Sequence, residues 1–239
     1  MSKATPRCLV LLPGMMCDER LFSPLSTAIH HDIEHQIDIH VPVLNGADTM
    51  ADLASQILRD LPPSFALAGL SMGGILAMEM MAQAPQRVER LALLDTNPLA
   101  ETPEGVIRRN RQIEDAAMGM LKTIMADEMK PHYLADTPNR EQILKLCMDM
   151  ALSLGTSCFI SQSRALRDRP DQRETLRAVS CPTLILHGAE DRLCPPERHI
   201  LMHELIPHAV RHQIAGAGHL PPLETPAETT AQLMKWLTG

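Results

Sequence analysis

The sequence is poor in aromatic residues, with three Phe, one Tyr and one Trp in 239 residues. A surface that stacks nucleobases on rings cannot be built from so few. Positive charge is also scarce: 22 Lys and Arg stand against 29 Asp and Glu, for a net charge of −7. The field of such a molecule repels phosphate backbones, so nucleic acid is not expected as a partner. C-x-x-C pairs are absent. The six cysteines (8, 17, 147, 158, 181 and 194) are scattered through a chain large enough to fold without staples, and they read as reduced, mostly buried thiols. The longest uncharged apolar stretch, Phe65 to Met78, has 14 residues and is broken by Gly69, Ser71, Gly73 and Gly74. A spanning helix needs roughly 20. The N-terminal run Cys8 to Leu12 is too short for a secretory leader and meets Pro13-Gly14. The expectation is a cytoplasmic protein with no membrane partner.

What is present is an ordinary globular balance, 45% apolar and 21% charged, with 16 Met to fill irregular apolar space. Arg7 to Leu12 reads as a buried strand ending in a sharp turn at Pro13-Gly14. From Ile33 to Val41 apolar and polar residues alternate, which predicts a half-buried strand near a sheet edge. His30, His31, His35 and His40 cluster there, but on a strand His35 and His40 point to opposite faces, so a solvated surface is favoured over a metal site. Met50, Leu53, Ala54, Ile57 and Leu58 have helical spacing, closed by Pro62-Pro63. Phe65 to Gly69 predicts a strand, Gly73 to Ala84 a helix, and Arg90 to Leu94 and Pro182 to Leu186 two further strands. Strands alternating with helices predict an α/β fold, a mostly parallel central sheet with helices on both faces. Between Pro98 and Arg177 the periodic segments are all helical and carry six Met (118, 120, 125, 129, 148 and 150). Residues 98–177 are therefore expected to form a helical cap inserted between two core segments, 1–97 and 178–239, walling an aliphatic pocket.

Gly69-Leu70-Ser71-Met72-Gly73 is G-x-S-x-G between an expected strand and an expected helix, the context in which that motif forms a nucleophile elbow. The glycines remove Cβ atoms that would block so tight a turn, and the helix N-terminus beneath offers unpaired N–H groups to an anion. A serine hydroxyl needs a base to take its proton and an acid to orient that base. Downstream, Leu184 to Asp191 reads as a strand and a loop ending in an acid, and His219 lies in a Gly- and Pro-bounded loop before a last helix starting near Pro226. The order is Ser71, Asp191, His219. His187 is an alternative base and Asp95, which also ends a strand, an alternative acid; each is disfavoured against its rival. His199, His203, His208 and His212 fall in or beside a late helical segment, where a surface role is the default. Cys17 and Cys194 are expected to pack, since the elbow holds serine.

On these motifs the chain resembles the α/β-hydrolase superfamily over essentially its whole length. It is similar in particular to small capped bacterial serine esterases, the group that includes pimeloyl-carrier-protein methyl esterases and 3-oxoadipate enol-lactonases. The resemblance implies Ser71 as nucleophile, His219 as general base and acid, and Asp191 as the orienting carboxylate. It also implies an oxyanion hole from the backbone N–H groups of Met15 and Met72. Many relatives have His-Gly where this chain has Pro13-Gly14. The expected reaction is hydrolysis of a small-molecule carboxylic ester through an acyl-enzyme, with no metal or organic cofactor. An enol-lactonase or carbon-carbon bond hydrolase would use the same residues, and a ligand-binding protein with a vestigial site is an alternative of another class. Arg108, Arg109 and Arg111 could attract a carboxylate or an acidic carrier protein, but a solvated helix face is the favoured reading. A homodimer is the default expectation for oligomeric state.

Overall fold

A computed structural model describes residues 5–31 and 37–239. Six strands form one parallel sheet in the order β2 (Asp38–His40), β1 (Cys8–Leu12), β3 (Phe65–Leu70), β4 (Val88–Leu94), β5 (Thr183–Gly188), β6 (Val210–Ile214). The inner strands β1, β3, β4 and β5 are buried almost throughout. Burial on both faces is why they read as continuous apolar runs. Alternate residues feed alternate cores: Val10 and Leu12 pack on one side of the sheet, Leu9 and Leu11 on the other.

The edges are different. β2 (Asp38–His40) is short and largely exposed. The expected strand from Ile33 to Val41 is thus only partly seen, because residues 33–36, His35 among them, lie outside the described residues. At the other edge β6 (Val210–Ile214) was not anticipated. Its sequence Val-Arg-His-Gln-Ile buries only Ile214, so it carries no apolar run, and His212 lies on this strand instead of in a helix. Charged residues suit an edge that must not recruit another strand.

Helices cover both faces. On one, α2 (Met50–Asp60) buries the five apolar residues expected of it, and the Thr49 hydroxyl accepts from Asp52 N at 3.1 Å to cap its first turn. Beside it α3 (Met72–Gln83) is buried over nearly its whole circumference. The opposite face is covered by α1 (Ser23–His31), through Leu25 and Ile29.

Between β4 and β5 the chain is helical: α4 (Pro103–Ala117), α5 (Leu121–Thr123) running into a π-helical stretch to Met129, α6 (Arg140–Arg167) and α7 (Arg173–Arg177). By length and composition α6 could cross a membrane. Gly155, at φ 80° and ψ 177°, breaks it into two shorter pieces, and Ile143, Cys147 and Met150 pack into the core beside α1. A third apolar cluster joins Phe159 and Ala151 of α6 to Leu121, Ile124 and Met125, and to Met16 of the loop after β1. After β5 come α8 (Pro196–Leu205) and β6, then α9 (Pro221–Glu224) and α10 (Pro226–Thr238).

Candidate active site

Ser71 occupies the one-residue junction of β3 and α3 with φ 55° and ψ −115°. A non-glycine residue held there costs about 1–3 kcal/mol. Its surroundings enforce the turn: Ser71 N donates to Leu94 O at 2.9 Å, and Ser71 O accepts from Thr96 Oγ1 at 2.7 Å and from Ile75 N at 3.1 Å. A Cβ on Gly69 would collide with the Gly73 carbonyl, and one on Gly73 with the Leu12 carbonyl. Both glycines of the motif are therefore where backbone passes backbone.

His219 lies in the loop after β6. Its Nε2 is 2.9 Å from Ser71 Oγ and its Nδ1 2.9 Å from Asp191 Oδ2. Asp191 belongs to the loop after β5, which is tied to the end of β6 by Ala189 N to Ile214 O (2.8 Å) and to the His219 loop by Glu190 N to Ala217 O (2.9 Å). Asp191 Oδ1 accepts from Leu193 N at 2.8 Å and Cys194 N at 3.0 Å. Burial works against ionising Asp191, but the neighbouring His219 and those two amides hold its pKa below the usual carboxylate value. The structure thus brings the three sequence-expected residues into one hydrogen-bonded series.

Asp95, the alternative acid, is fully buried and makes no contact with His219 among the described hydrogen bonds. Its Oδ1 accepts from Gly188 N at 2.9 Å. Burial, and then repulsion from Asp191, push its pKa well above the carboxylate range, so it is held as the neutral acid beside a charged partner. His187, the alternative base, turns away: Nδ1 contacts Gly188 O at 3.2 Å and its ring stacks on His199, centroids 4.3 Å apart.

His199 corrects the surface role expected of it. It is completely buried, because His199, Met202 and Ile206 form the inner stripe of α8 and its end against the sheet. Desolvation pushes its pKa down to about 3, so this ring is neutral.

The loop after β1 carries Met15, Met16 and Cys17 over the elbow. Met16 N donates to Gln162 Oε1 of α6 at 2.9 Å, and Cys17 N to Gly14 O at 3.1 Å. Neither the Met15 nor the Met72 N–H is used in these turns, and both residues line the cavity with Ser71 and His219. Pro13, which cannot donate, leaves the Met15 amide in place. Cys17 and Cys194 are buried and desolvation keeps both as thiols, consistent with packing. Asp191, Cys194 and His219 offer ligand atoms within 4.8 Å of one another. Both nitrogens of His219 are already engaged, however, and the third donor is held protonated.

Sequence reasoning missed Glu224. Its carboxylate accepts from Gly218 N (2.9 Å), Leu220 N (2.9 Å) and Ala135 N (2.8 Å), clamping both sides of His219 and the segment before α6. Pro221 and Pro222 precede it, a helix start that placed no special demand on Glu224 in the sequence. Gln162 was missed for the same reason, since its partners lie far away in the chain.

The cavity above Ser71 measures about 480 Å³. It departs from the aliphatic pocket expected. Met15, Met72, Met129, Leu166 and Leu220 are there, but so are Arg108, Arg109, Arg169, Arg192, Glu101 and Glu128. Of the six Met in residues 98–177, only Met129 lines it. Nor is the Arg108–Arg111 run simply a solvated face. Arg111 is exposed and pairs with Glu128, but Arg109 is turned inward, its side chain 15% exposed, and pairs with Glu101 at 2.7 Å.

Comparison with known proteins decides the family. Residues 9–233 match the model of the alpha/beta hydrolase family. The chain belongs to that family. It is 36% identical over 185 residues to the AB hydrolase superfamily protein YisY of Bacillus subtilis, covering 68% of this chain and 65% of that protein. It is 25% identical over 198 residues to a pimeloyl-[acyl-carrier protein] methyl ester esterase of Salmonella agona, covering 79% and 76% respectively. Against the biotin biosynthesis bifunctional protein BioHC of Teredinibacter turnerae it is 24% identical over 96% of its own length, but spans only 44% of that protein. Among solved structures, a thermophilic esterase from Thermogutta terrifontis superposes with a TM-score of 0.88 at 26% identity, covering 99% of this chain and 91% of the other. An enol-lactonase from Burkholderia xenovorans shares the fold, with a TM-score of 0.82 at 20% identity over 99% and 92%.

Proposed function

We propose that the protein is a serine hydrolase that cleaves carboxylic esters of small aliphatic acyl groups through an acyl-enzyme. The observation that carries this reading is the series Asp191, His219, Ser71, each link 2.9 Å, ending at the floor of the cavity. Ser71 Oγ attacks the ester carbonyl carbon while its proton passes to His219 Nε2. The carbonyl oxygen becomes an oxyanion held by the Met15 and Met72 N–H groups at the end of α3 that carries the positive dipole. Collapse breaks the carbon–oxygen bond to the alcohol, which leaves with the proton from His219. Water then attacks the acyl-Ser71 ester with His219 as base, releasing the acid and restoring the hydroxyl. Asp191 stays ionised throughout and stabilises the imidazolium. The helices of residues 98–177 act as the cap over this chemistry, anchored to it by Gln162 and by the clamp of Glu224 on Ala135. The esterase names of the Salmonella and Thermogutta proteins support the same reaction class.

Ser71→Ala should lower p-nitrophenyl butyrate turnover by about 10⁵-fold or more, with an unchanged far-UV spectrum. Undiminished turnover would refute the assignment.

A further inference from the structure

The lining of the cavity carries more positive charge than its own carboxylates can neutralise. Four arginines, Arg108, Arg109, Arg169 and Arg192, face two glutamates, and both glutamates are taken. Glu101 receives Arg109 Nε at 2.7 Å and Arg169 Nη1 at 3.0 Å. Glu128 receives Gln112 Nε2 at 3.1 Å and Arg111, which lies outside the lining. Among the described residues no carboxylate is paired with Arg108 or Arg192, one on α4 and one in the loop directly after Asp191. In a chain of net charge −7 this concentration is not the general background.

Arg109 is the most telling. Its guanidinium is largely buried, yet among the described residues only Nε reaches an oxygen; Nη1 meets the sulfur of Met15 at 3.8 Å. A desolvated cation whose terminal amino groups face a thioether and a cavity is poorly compensated. Arg169 cannot help an incoming ligand in the same way, because it is spent on Leu99 O at 2.9 Å and on Glu101. It fixes Glu101, and Glu101 fixes Arg109, so the fork is held ready beside the loop that carries Met15.

We propose that these cavity-lining arginines form an anion-binding subsite, and that the esters the protein cleaves carry a carboxylate or phosphate group remote from the carbonyl attacked by Ser71. Arg109 takes the anion from the buried side, and Arg108 and Arg192 from the mouth. Guanidinium forks match either oxyanion with paired, charge-assisted hydrogen bonds. The inference rests on the esterase reading above and names the substrate class for it.

The test uses the purified full chain and three methyl esters of equal length: methyl hexanoate, monomethyl adipate and methyl 5-phosphonopentanoate, followed by methanol release. At least one anionic ester should exceed methyl hexanoate in kcat/KM by about tenfold or more, chiefly through KM, as one charge-assisted contact allows. The advantage should shrink with added salt. Preference for the adipate assigns a carboxylate, and preference for the phosphonate a phosphate-bearing substrate. In Arg108→Gln/Arg192→Gln, both sites exposed, the ratio of anionic to neutral kcat/KM should fall about tenfold. Arg109→Lys, which keeps the charge and loses the fork, should also lower that ratio. Ser71-dependent hydrolysis of methyl hexanoate at least as fast as of both anionic esters, or a ratio unmoved by the double substitution, would overturn the subsite and leave the esterase reading standing. No Ser71-dependent turnover of any of the three would overturn both.

Discussion

Replacing Asp191 by Asn separates orientation from packing. Oδ1 of Asp191 is fixed by the Leu193 and Cys194 amides at 2.8 and 3.0 Å, so an asparagine keeps its oxygen there and must place its NH₂ where Oδ2 now meets His219 Nδ1 at 2.9 Å. Nδ1 would then have to accept. The ring proton moves to Nε2, which donates to Ser71 Oγ at a bond where it should be the acceptor. The base is present but in the wrong tautomer, and it has lost the charge that stabilises the imidazolium. A loss of about 10⁴ in kcat is expected at neutral pH, equivalent to about 5.5 kcal/mol of barrier, with KM nearly unchanged. Steady-state hydrolysis of p-nitrophenyl butyrate measures it, and urea denaturation checks that the fold survives. Activity within about tenfold of the parent would refute the reasoning. If Asp95→Asn took the loss instead, the orienting role would pass to Asp95.

Two further predictions concern the residues behind the relay. Asp95 is held protonated, so its contribution to stability is fully present below its unfolded-state pKa and is lost as pH rises toward the raised folded value. Asp95→Asn keeps the acceptor for Gly188 N at 2.9 Å and a donor toward Asp191, and should gain stability over the parent progressively as pH rises above the ordinary carboxylate range toward the raised folded value while retaining activity. A constant or falling difference in urea midpoint across that rise in pH would contradict it. Glu224→Ala removes the acceptor of three backbone amides around His219 and Ala135, and should cost on the order of 3 kcal/mol and reduce kcat. Parent-like denaturation and turnover would show that the clamp is dispensable.

The parts of this molecule legible in the sequence are those where local sterics or burial leave one choice. β1, β3, β4 and β5 are buried on both faces and read as apolar runs; Gly69 and Gly73 bracket a turn that other residues would block. Asp191 and His219 stand in loops that Gly and Pro mark as sharp. What stayed hidden is assembled from distant segments. β6 is an edge strand that buries only Ile214 and carries Arg211, His212 and Gln213 between two apolar ends, and His199 directly follows Glu197 and Arg198, so its burial shows only once α8 is seated on the sheet. Arg108 and Arg109 stand together in the sequence and raise the option of an anion there, but Arg169 and Arg192 join them in the cavity lining from distant segments, and Glu224 finds its partners in the His219 loop and at Ala135.

Covalent capture addresses the nucleophile most directly. Incubation with a fluorophosphonate, followed by digestion and mass mapping, should place a single adduct on Ser71, lost in Ser71→Ala and greatly slowed in His219→Ala. An adduct on another residue, or none while ester turnover persists, would contradict the account.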